Sequence, residues 1–191
     1  MDNINLSGLS VLIVDANPLL RTVFRQTLRE LGATNVEAAS NPDDGFKRFN
    51  DRNPDIVLID WGPHCDGMAL LDMIRHAPDS ANRYVPVIIT SAHTGSTHVI
   101  TARDHGMSEF LAKPVSAKTL YQRIARIARE DRVFVRSGRF FGPDRRRRPS
   151  EELLADRRVT TYTPHPPSPD IYQASLTRQT ATPIGGHYGH A

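Results

Sequence analysis

Short, mostly apolar runs alternate with amphipathic stretches from residue 10 to residue 129. The runs at 10–14, 36–39, 55–59, 85–90 and 109–112 have the length and composition of buried strands. Each is followed by a segment with apolar residues at helical spacing, which predicts helices over 18–31, 42–50, 68–76, 97–105 and 116–129. Asn17 and Asn41 are suited to cap the first two helices, and each is followed by a proline at the first helical position.

Five strand–helix units in succession predict an α/β fold. Strands that are apolar throughout are typical of a parallel sheet covered by helices on both faces. Right-handed crossovers then favour a doubly wound, flavodoxin-like sheet with strand order 2-1-3-4-5. In such sheets the ligand site lies at the carboxyl ends of the strands.

Charge divides the chain into two parts. Residues 1–131 carry 14 basic and 16 acidic side chains and residues 132–191 carry 10 and 5, which together give the net charge of +3. The second part also holds 7 of the 14 prolines. We therefore predict one domain over 1–131 and a basic, proline-rich, largely disordered tail over 132–191, of which 132–135 and 140–141 are apolar enough to fold back on the domain.

Cysteine content and hydrophobicity indicate where in the cell the protein is located. Cys65 is the single cysteine, so no internal disulfide forms and a reducing environment is indicated. No apolar run is long enough to span a bilayer, and the first residues lack the features of a signal peptide. The sequence predicts a cytoplasmic protein without a membrane span.

Reactive side chains follow four of the predicted strands. Asp15 follows the first strand, Asp60 the third, Ser91 the fourth and Lys113 the fifth. Singly, each residue has a commoner structural role, such as a helix cap, a turn former or a solvated lysine. Together, two carboxylates, a hydroxyl and an ammonium at one edge of a sheet suit a site for Mg²⁺ and a phosphoryl group.

Five sequence blocks in order resemble the motif series of response-regulator receiver domains. They are residues 11–15 (VLIVD), 54–60 (PDIVLID), 66–67 (DG), 86–92 (PVIITSA) and 110–114 (FLAKP). The resemblance covers roughly residues 9–128. It implies a stand-alone, chemotaxis-type receiver of two-component phosphorelay signalling rather than an enzyme in the ordinary sense, although self-phosphorylation from small donors and autodephosphorylation accompany the family.

The resemblance implies a role for each matching residue of the site. Asp60 corresponds to the phosphoacceptor and Asp15 to a ligand of Mg²⁺. Gly62, two residues after Asp60, would offer its backbone carbonyl to the metal. Lys113 corresponds to the lysine that pairs with the phosphoryl group.

The switch residues are implied in the same way. Ser91 corresponds to the hydroxyl that turns towards the phosphoryl group, and Phe110 to the aromatic whose rotamer follows it. Pro114 corresponds to a proline preceded by a cis peptide bond in the family. The signal would then leave through the surface of the fourth helix, fifth strand and fifth helix.

One position departs from the family pattern. The family usually carries two adjacent acids after the first strand, and here the second is Ala16. Loss of that carboxylate is expected to weaken Mg²⁺ binding. The alternative to a working receiver is a pseudo-receiver or adaptor that binds proteins independently of phosphorylation, with the basic tail as its interaction segment.

The implied partners are a histidine kinase or phosphotransfer protein upstream and a protein target downstream. The tail is too short and too polar for an attached DNA-binding domain. Its arginine run at 145–148 is most simply a solvated charge run, although an acidic protein surface, a nucleic acid or an anionic membrane would also attract it. The sequence does not identify the kinase, the target or the pathway.

Overall fold

The computed structural model describes residues 4–130 and 132–144 and the backbone of residues 161–163. Five parallel strands form the central sheet: β1 (Ser10–Val14), β2 (Asn35–Ala39), β3 (Ile56–Asp60), β4 (Val87–Ser91) and β5 (Glu109–Ala112). Their order, β2-β1-β3-β4-β5, is the predicted one. The doubly wound, flavodoxin-like α/β fold is confirmed.

Five helices connect or follow the strands: α1 (Pro18–Glu30), α2 (Pro42–Arg52), α3 (Gly67–His76), α4 (Ser96–Asp104) and α5 (Ala117–Arg129). The predicted bounds of the strands and helices lie within about two residues of those observed. Helix α5 begins after Ser116, which caps it in a reciprocal pair with Thr119, so the predicted start at 116 was one residue early.

Side-chain caps begin four of the five helices in the described part of the chain. Asn17 and Asn41 accept backbone N–H groups of α1 and α2, as predicted, and Asp66 caps α3. Helix α4 follows Gly95, and no side chain caps it. Only Ala102 among the nine residues of α4 is buried. Helix α4 is therefore the least firmly anchored of the five.

Two apolar clusters fill the two sides of the sheet. One cluster packs α1 and α5 against one face, with Phe24, Leu28 and Leu120 among its buried side chains. The other packs α2, α3 and α4 against the opposite face, with Phe49 and Leu71 fully buried. Strand residues alternate between the clusters, which explains why the strands are apolar throughout.

A hairpin of β6 (Phe134–Ser137) and β7 (Phe140–Pro143) follows α5, and β8 (Thr161–Thr163) pairs antiparallel with β6. The fold-back predicted for 132–135 and 140–141 is thus observed. An added Cβ on Gly142 would lie 2.6 Å from the Cα of Gly106, so the hairpin sits close against the α4–β5 loop.

Arg132 also ties the hairpin to the domain, through the Ser108 carbonyl at 2.9 Å and the buried Glu109 carboxylate at 3.0 Å. The division of the chain at residue 131 stays a prediction, because the segment just after it packs on the domain. The arginine run at 145–148 lies outside the described residues.

Candidate functional site

The carboxyl ends of β1, β3 and β5 line one cleft of about 440 Å³. Asp15 directly follows β1, Asp60 is the last residue of β3, and Lys113 directly follows β5. Ser91 is the last residue of β4, has no exposed surface and is not among the residues that line the cleft. The structure therefore brings together Asp15, Asp60 and Lys113 of the four side chains that the sequence placed at the strand ends, whereas the Ser91 hydroxyl is hydrogen-bonded to none of these three side chains. The cleft is lined by Asp15, Ala16, Asn17, Pro18, Leu20, Asp60, Trp61, Gly62, Pro63, His64, Ala92, His93 and Lys113.

Lys113 bridges the two carboxylates. Its Nζ lies 2.9 Å from Asp15 Oδ2 and 2.7 Å from Asp60 Oδ1, and both are charge-assisted hydrogen bonds. The Asp15 side chain is only 3% exposed and that of Asp60 12%, so the interaction is poorly screened by water. One ammonium thus faces two carboxylates and offsets the charge of one, so the three side chains together carry one negative charge.

Burial and charge shift the pKa values of this group. Burial raises the pKa of Asp60, and the nearby negative charge of Asp15 raises it further, against the opposing hydrogen bond from Lys113. Burial alone would lower the pKa of Lys113, but its hydrogen bonds with Asp60 and Asp15 reverse that effect and raise it. Lys113 therefore stays charged at neutral pH.

The loop that carries Asp15 is held by hydrogen bonds from Asn17 and Arg21. Asp15 Oδ1 accepts the backbone N–H of Asn17 at 2.8 Å. From α1, Arg21 Nη1 donates to the backbone carbonyls of Asp15 at 2.6 Å and Ala16 at 3.0 Å. Arg21 was not singled out from the sequence. An arginine one turn into the helix that follows the first acid was the only available signal.

The Ser91 hydroxyl is fully engaged. It donates to the Trp61 carbonyl at 2.7 Å and accepts the backbone N–H of His93 at 3.1 Å. His98 Nε2, on α4, lies 3.3 Å from the same oxygen, and the His98 ring stacks on Trp61. No motif in the sequence indicated His98.

Phe110, Pro114 and Cys65 are other residues that the sequence singled out near the strand ends. Phe110 is half-buried and packs against the cluster that joins α3 and α4 to the sheet. The peptide bond between Lys113 and Pro114 is cis. Cys65 is buried. Its burial, and to a smaller extent the negative charge of Asp60, raises the pKa of its thiol to about 11. It therefore carries little thiolate at neutral pH and is an unreactive loop residue.

The donor atoms of the cleft fit a magnesium ion, although few of them come from the protein. Mg²⁺ prefers carboxylate and carbonyl oxygens completed by water, and the carboxylates of Asp15 and Asp60 and the carbonyl of Gly62 are of this kind. The Gly62 carbonyl also accepts the Cys65 N–H at 3.2 Å, which leaves it a second lone pair. Ala16 adds no ligand, and the described residues contain no metal-ligating group of three His, Cys, Asp or Glu side chains.

Comparison with models of protein families identifies the family of this chain. The response regulator receiver domain model matches residues 11–125, more than half of the chain. The protein belongs to the response regulator receiver family of two-component systems. No helix within the described ranges is both long and apolar enough to cross a bilayer.

Particular relatives agree with this assignment. The chain is 28% identical to the chemotaxis protein CheY of Pseudomonas aeruginosa over 120 residues, which cover 62% of this chain and 95% of that protein. It is also 28% identical to CheY-3 of Vibrio cholerae over 128 residues, covering 66% and 97%. Both matches leave about a third of this chain without a counterpart.

Solved structures show the same fold. CheY4 of Vibrio cholerae superposes with a TM-score of 0.56 at 21% identity, covering 62% of this chain and 97% of that one. The receiver domain of the histidine kinase CKI1 from Arabidopsis thaliana, complexed with Mg²⁺ and BeF₃⁻, gives a TM-score of 0.58 at 26% identity, covering 65% and 93%.

Proposed function

We propose that this receiver accepts a phosphoryl group on Asp60 from a histidine kinase or histidine phosphotransfer protein and thereby changes its binding to a downstream protein. The observation that carries the proposal is the Lys113 ammonium held between Asp15 and Asp60 at the carboxyl edge of the sheet. A half-buried lysine that contacts two acids is suited to pair with a phosphoryl group added to one of them.

The two oxygens of Asp60 have different surroundings. Oδ1 accepts the hydrogen bond from Lys113. Oδ2 is the oxygen nearer to Gly62, because an added Cβ there would lie 3.3 Å from Oδ2 and 3.7 Å from Oδ1. Because Lys113 engages Oδ1, Oδ2 is the oxygen that we assign to attack.

Transfer forms an acyl phosphate. A bond forms between Oδ2 and phosphorus while the phosphorus–nitrogen bond of the phosphohistidine donor breaks, and the imidazole nitrogen keeps the electron pair and takes up a proton. Mg²⁺ held by Asp15, Asp60 and Gly62 would screen the repulsion between the anionic carboxylate and the anionic donor. Lys113 would hold the transferred group.

The phosphoryl group adds about −1.5 to −2 charge units and three acceptor oxygens at neutral pH. Ser91 would leave the Trp61 carbonyl to donate to one of these oxygens, and Phe110 would move into the vacated space. The α4–β5–α5 surface would then differ between the two states, which is how a local charge selects a partner.

Replacing Asp60 with asparagine is expected to abolish the response to a phosphodonor. Trp61 is the single tryptophan and lines the cleft, so its emission reports on the site. The protein is titrated with Mg²⁺ and then mixed with acetyl phosphate, and the emission is followed. A saturable Mg²⁺ response and a donor-dependent change in the wild type, with no donor-dependent change in Asp60→Asn, would support the proposal.

A wild-type protein that is folded but responds to neither reagent would overturn it. Downstream binding that is the same in Asp60→Asn and wild type would favour the adaptor alternative instead. Asp66→Asn is a matched control, because Asp66 is exposed and caps α3 outside the group bridged by Lys113.

Replacing Ala16 with aspartate should tighten Mg²⁺ binding about tenfold, because Mg²⁺ affinity rises with the number of charged oxygen ligands. Ala16 lines the cleft next to Asp15, so the new carboxylate would enter the same site. The dissociation constant is read from the Trp61 titration. Ala16→Asn, which has the same size without the charge, should give a smaller gain. Equal affinities for Ala16→Asp and wild type would mean that the missing acid does not limit metal binding.

A further inference from the structure

We propose that His98 is a positioning residue that latches Ser91 and α4 in the unphosphorylated conformation. Its ring stacks on Trp61 and its Nε2 reaches the Ser91 hydroxyl, so one side chain connects α4 to both the β3–α3 loop and the end of β4. The role assigned to Ser91 rests on the proposed function. The tie between α4 and Trp61 does not.

The hydrogen bonds of Ser91 fix which atom donates. The hydroxyl has one proton, and its 2.7 Å contact with the Trp61 carbonyl requires that proton, since a carbonyl oxygen only accepts. The His93 N–H uses one lone pair of the hydroxyl. The remaining lone pair faces His98 Nε2 at 3.3 Å, so Nε2 carries a proton and donates. Ser91 thus has three partners, none of which is Asp60.

The stack on Trp61 gives the latch its second half. The ring centroids of Trp61 and His98 are 3.4 Å apart and the rings are inclined by 10°. His93 lies 5.4 Å from His98 on the side of the cleft. Burial, and then the proximity of His93, lowers the pKa of His98 and favours the neutral ring that stacks on the indole.

Helix α4 has few other contacts that attach it to the domain, so the contact between His98 and Trp61 matters for its position. It has no side-chain cap, Ala102 is its only buried residue, and Ile100 is 44% exposed. Ala102 holds the carboxyl-terminal half of α4, and His98 holds the amino-terminal half. Movement of Ser91 towards a phosphoryl group would break its bond to His98 and free that half, which links the site to the predicted output surface.

The first test concerns α4 without any phosphodonor. Hydrogen exchange of peptides from α4 is compared in wild type, His98→Ala, His98→Phe and Ile100→Ala, with α5 as an internal reference. Faster exchange in α4 is expected for His98→Ala alone, because His98→Phe keeps a ring on Trp61 and Ile100 faces solvent. Unchanged α4 exchange in His98→Ala, with α5 also unchanged, would overturn the latch.

The second test concerns Ser91. Beryllofluoride, a mimic of the phosphoryl group, is titrated at saturating Mg²⁺, and midpoints of Trp61 emission are compared rather than amplitudes, since His98 itself affects the indole. The midpoint should fall about three- to tenfold in both His98→Ala and His98→Phe, since each lacks the hydrogen bond that holds Ser91 back, and stay unchanged in Ile100→Ala.

An unchanged or higher midpoint in both His98 variants would overturn the hold on Ser91. The two hypotheses fail separately. A wild-type protein that ignores beryllofluoride and Mg²⁺ contradicts the proposed function, and the exchange experiment then still decides whether His98 anchors α4.

Discussion

Replacing Lys113 with glutamine should tighten Mg²⁺ binding about tenfold or more while removing the response to acetyl phosphate. Lys113 Nζ occupies the oxygens of Asp15 and Asp60 that a metal would use, so the ammonium and the cation compete. Removing the positive charge of Lys113 should make the binding free energy of Mg²⁺ more favourable by up to several kcal/mol. About 1.4 kcal/mol of this corresponds to a tenfold lower dissociation constant.

The loss of the phosphodonor response has a different cause. Without Lys113 the transferred phosphoryl group would lose the ammonium that pairs with it, and the hydrogen bond that opposes the raised pKa of Asp60 would be absent. Both effects are measured through Trp61 emission. Lys118→Gln is the matched control, because Lys118 is exposed on α5 and undergoes the same change of charge.

Weaker Mg²⁺ binding in Lys113→Gln would contradict the competition between lysine and metal. A donor response as large as in the wild type would contradict the role of Lys113 in holding the transferred group. The Lys118 variant should reproduce the wild type in both titrations, which would show that a loss of net charge alone has little effect.

Replacing Arg75 with methionine should lower the free energy of unfolding by about 3 kcal/mol. Arg75 has no exposed surface. Its Nε donates to the Gly106 carbonyl at 3.0 Å, its Nη1 donates to the Arg83 carbonyl at 2.8 Å, and its guanidinium lies 5.2 Å from the centre of the Phe134 ring. Methionine keeps much of the stem but leaves both carbonyls without this donor.

The cost of burying its charge reduces the net contribution of Arg75 to stability. Burial lowers the pKa of Arg75 to about 9, which reflects the cost of enclosing a charge, and Nη2 has no hydrogen-bond partner among the described residues. The guanidinium nevertheless stays charged at neutral pH. The contacts of Arg75 to the α4–β5 loop and to β6 make it the inner anchor of the carboxyl-terminal hairpin.

Urea denaturation of Arg75→Met measures the loss, and hydrogen exchange of the hairpin shows where it falls. Arg29→Met serves as control, since Arg29 is exposed in the last turn of α1 and should change stability by less than about 0.5 kcal/mol. If Arg75→Met is as stable as this control, the buried contacts offset only the cost of burying the charge. If Arg75→Met speeds hydrogen exchange relative to wild type more in the hairpin than in α5, Arg75 anchors the hairpin.

The sequence was sufficient for the fold because the relevant signals are local. Apolar runs, helical spacing and the caps Asn17 and Asn41 each depend on neighbouring residues, and together they imply a parallel sheet. The chemistry of the site followed from one topological rule, which is that the ends of parallel strands meet at one edge. That rule brought Asp15, Asp60 and Lys113 together although up to 98 residues separate them.

The contacts that surround the site were not predictable in this way. Arg21 holds the Asp15 loop and His98 holds Ser91, but neither belongs to a motif, and both act only through the direction of their side chains. The apolar residues of the hairpin predicted that it folds back on the domain, whereas its packing on Arg75 was not predicted. A buried arginine near the end of a helix has the same sequence pattern as an exposed one.

The sequence by itself determined the class of fold, the strand order and the four residues at the strand ends, because periodicity and chain connectivity constrain them. Only the tertiary structure decided that one lysine bridges both acids, that a histidine of α4 stacks on Trp61, and that a hairpin covers Arg75. These arrangements depend on distances of a few ångströms between elements far apart in the chain, and such distances are set by packing rather than by local sequence.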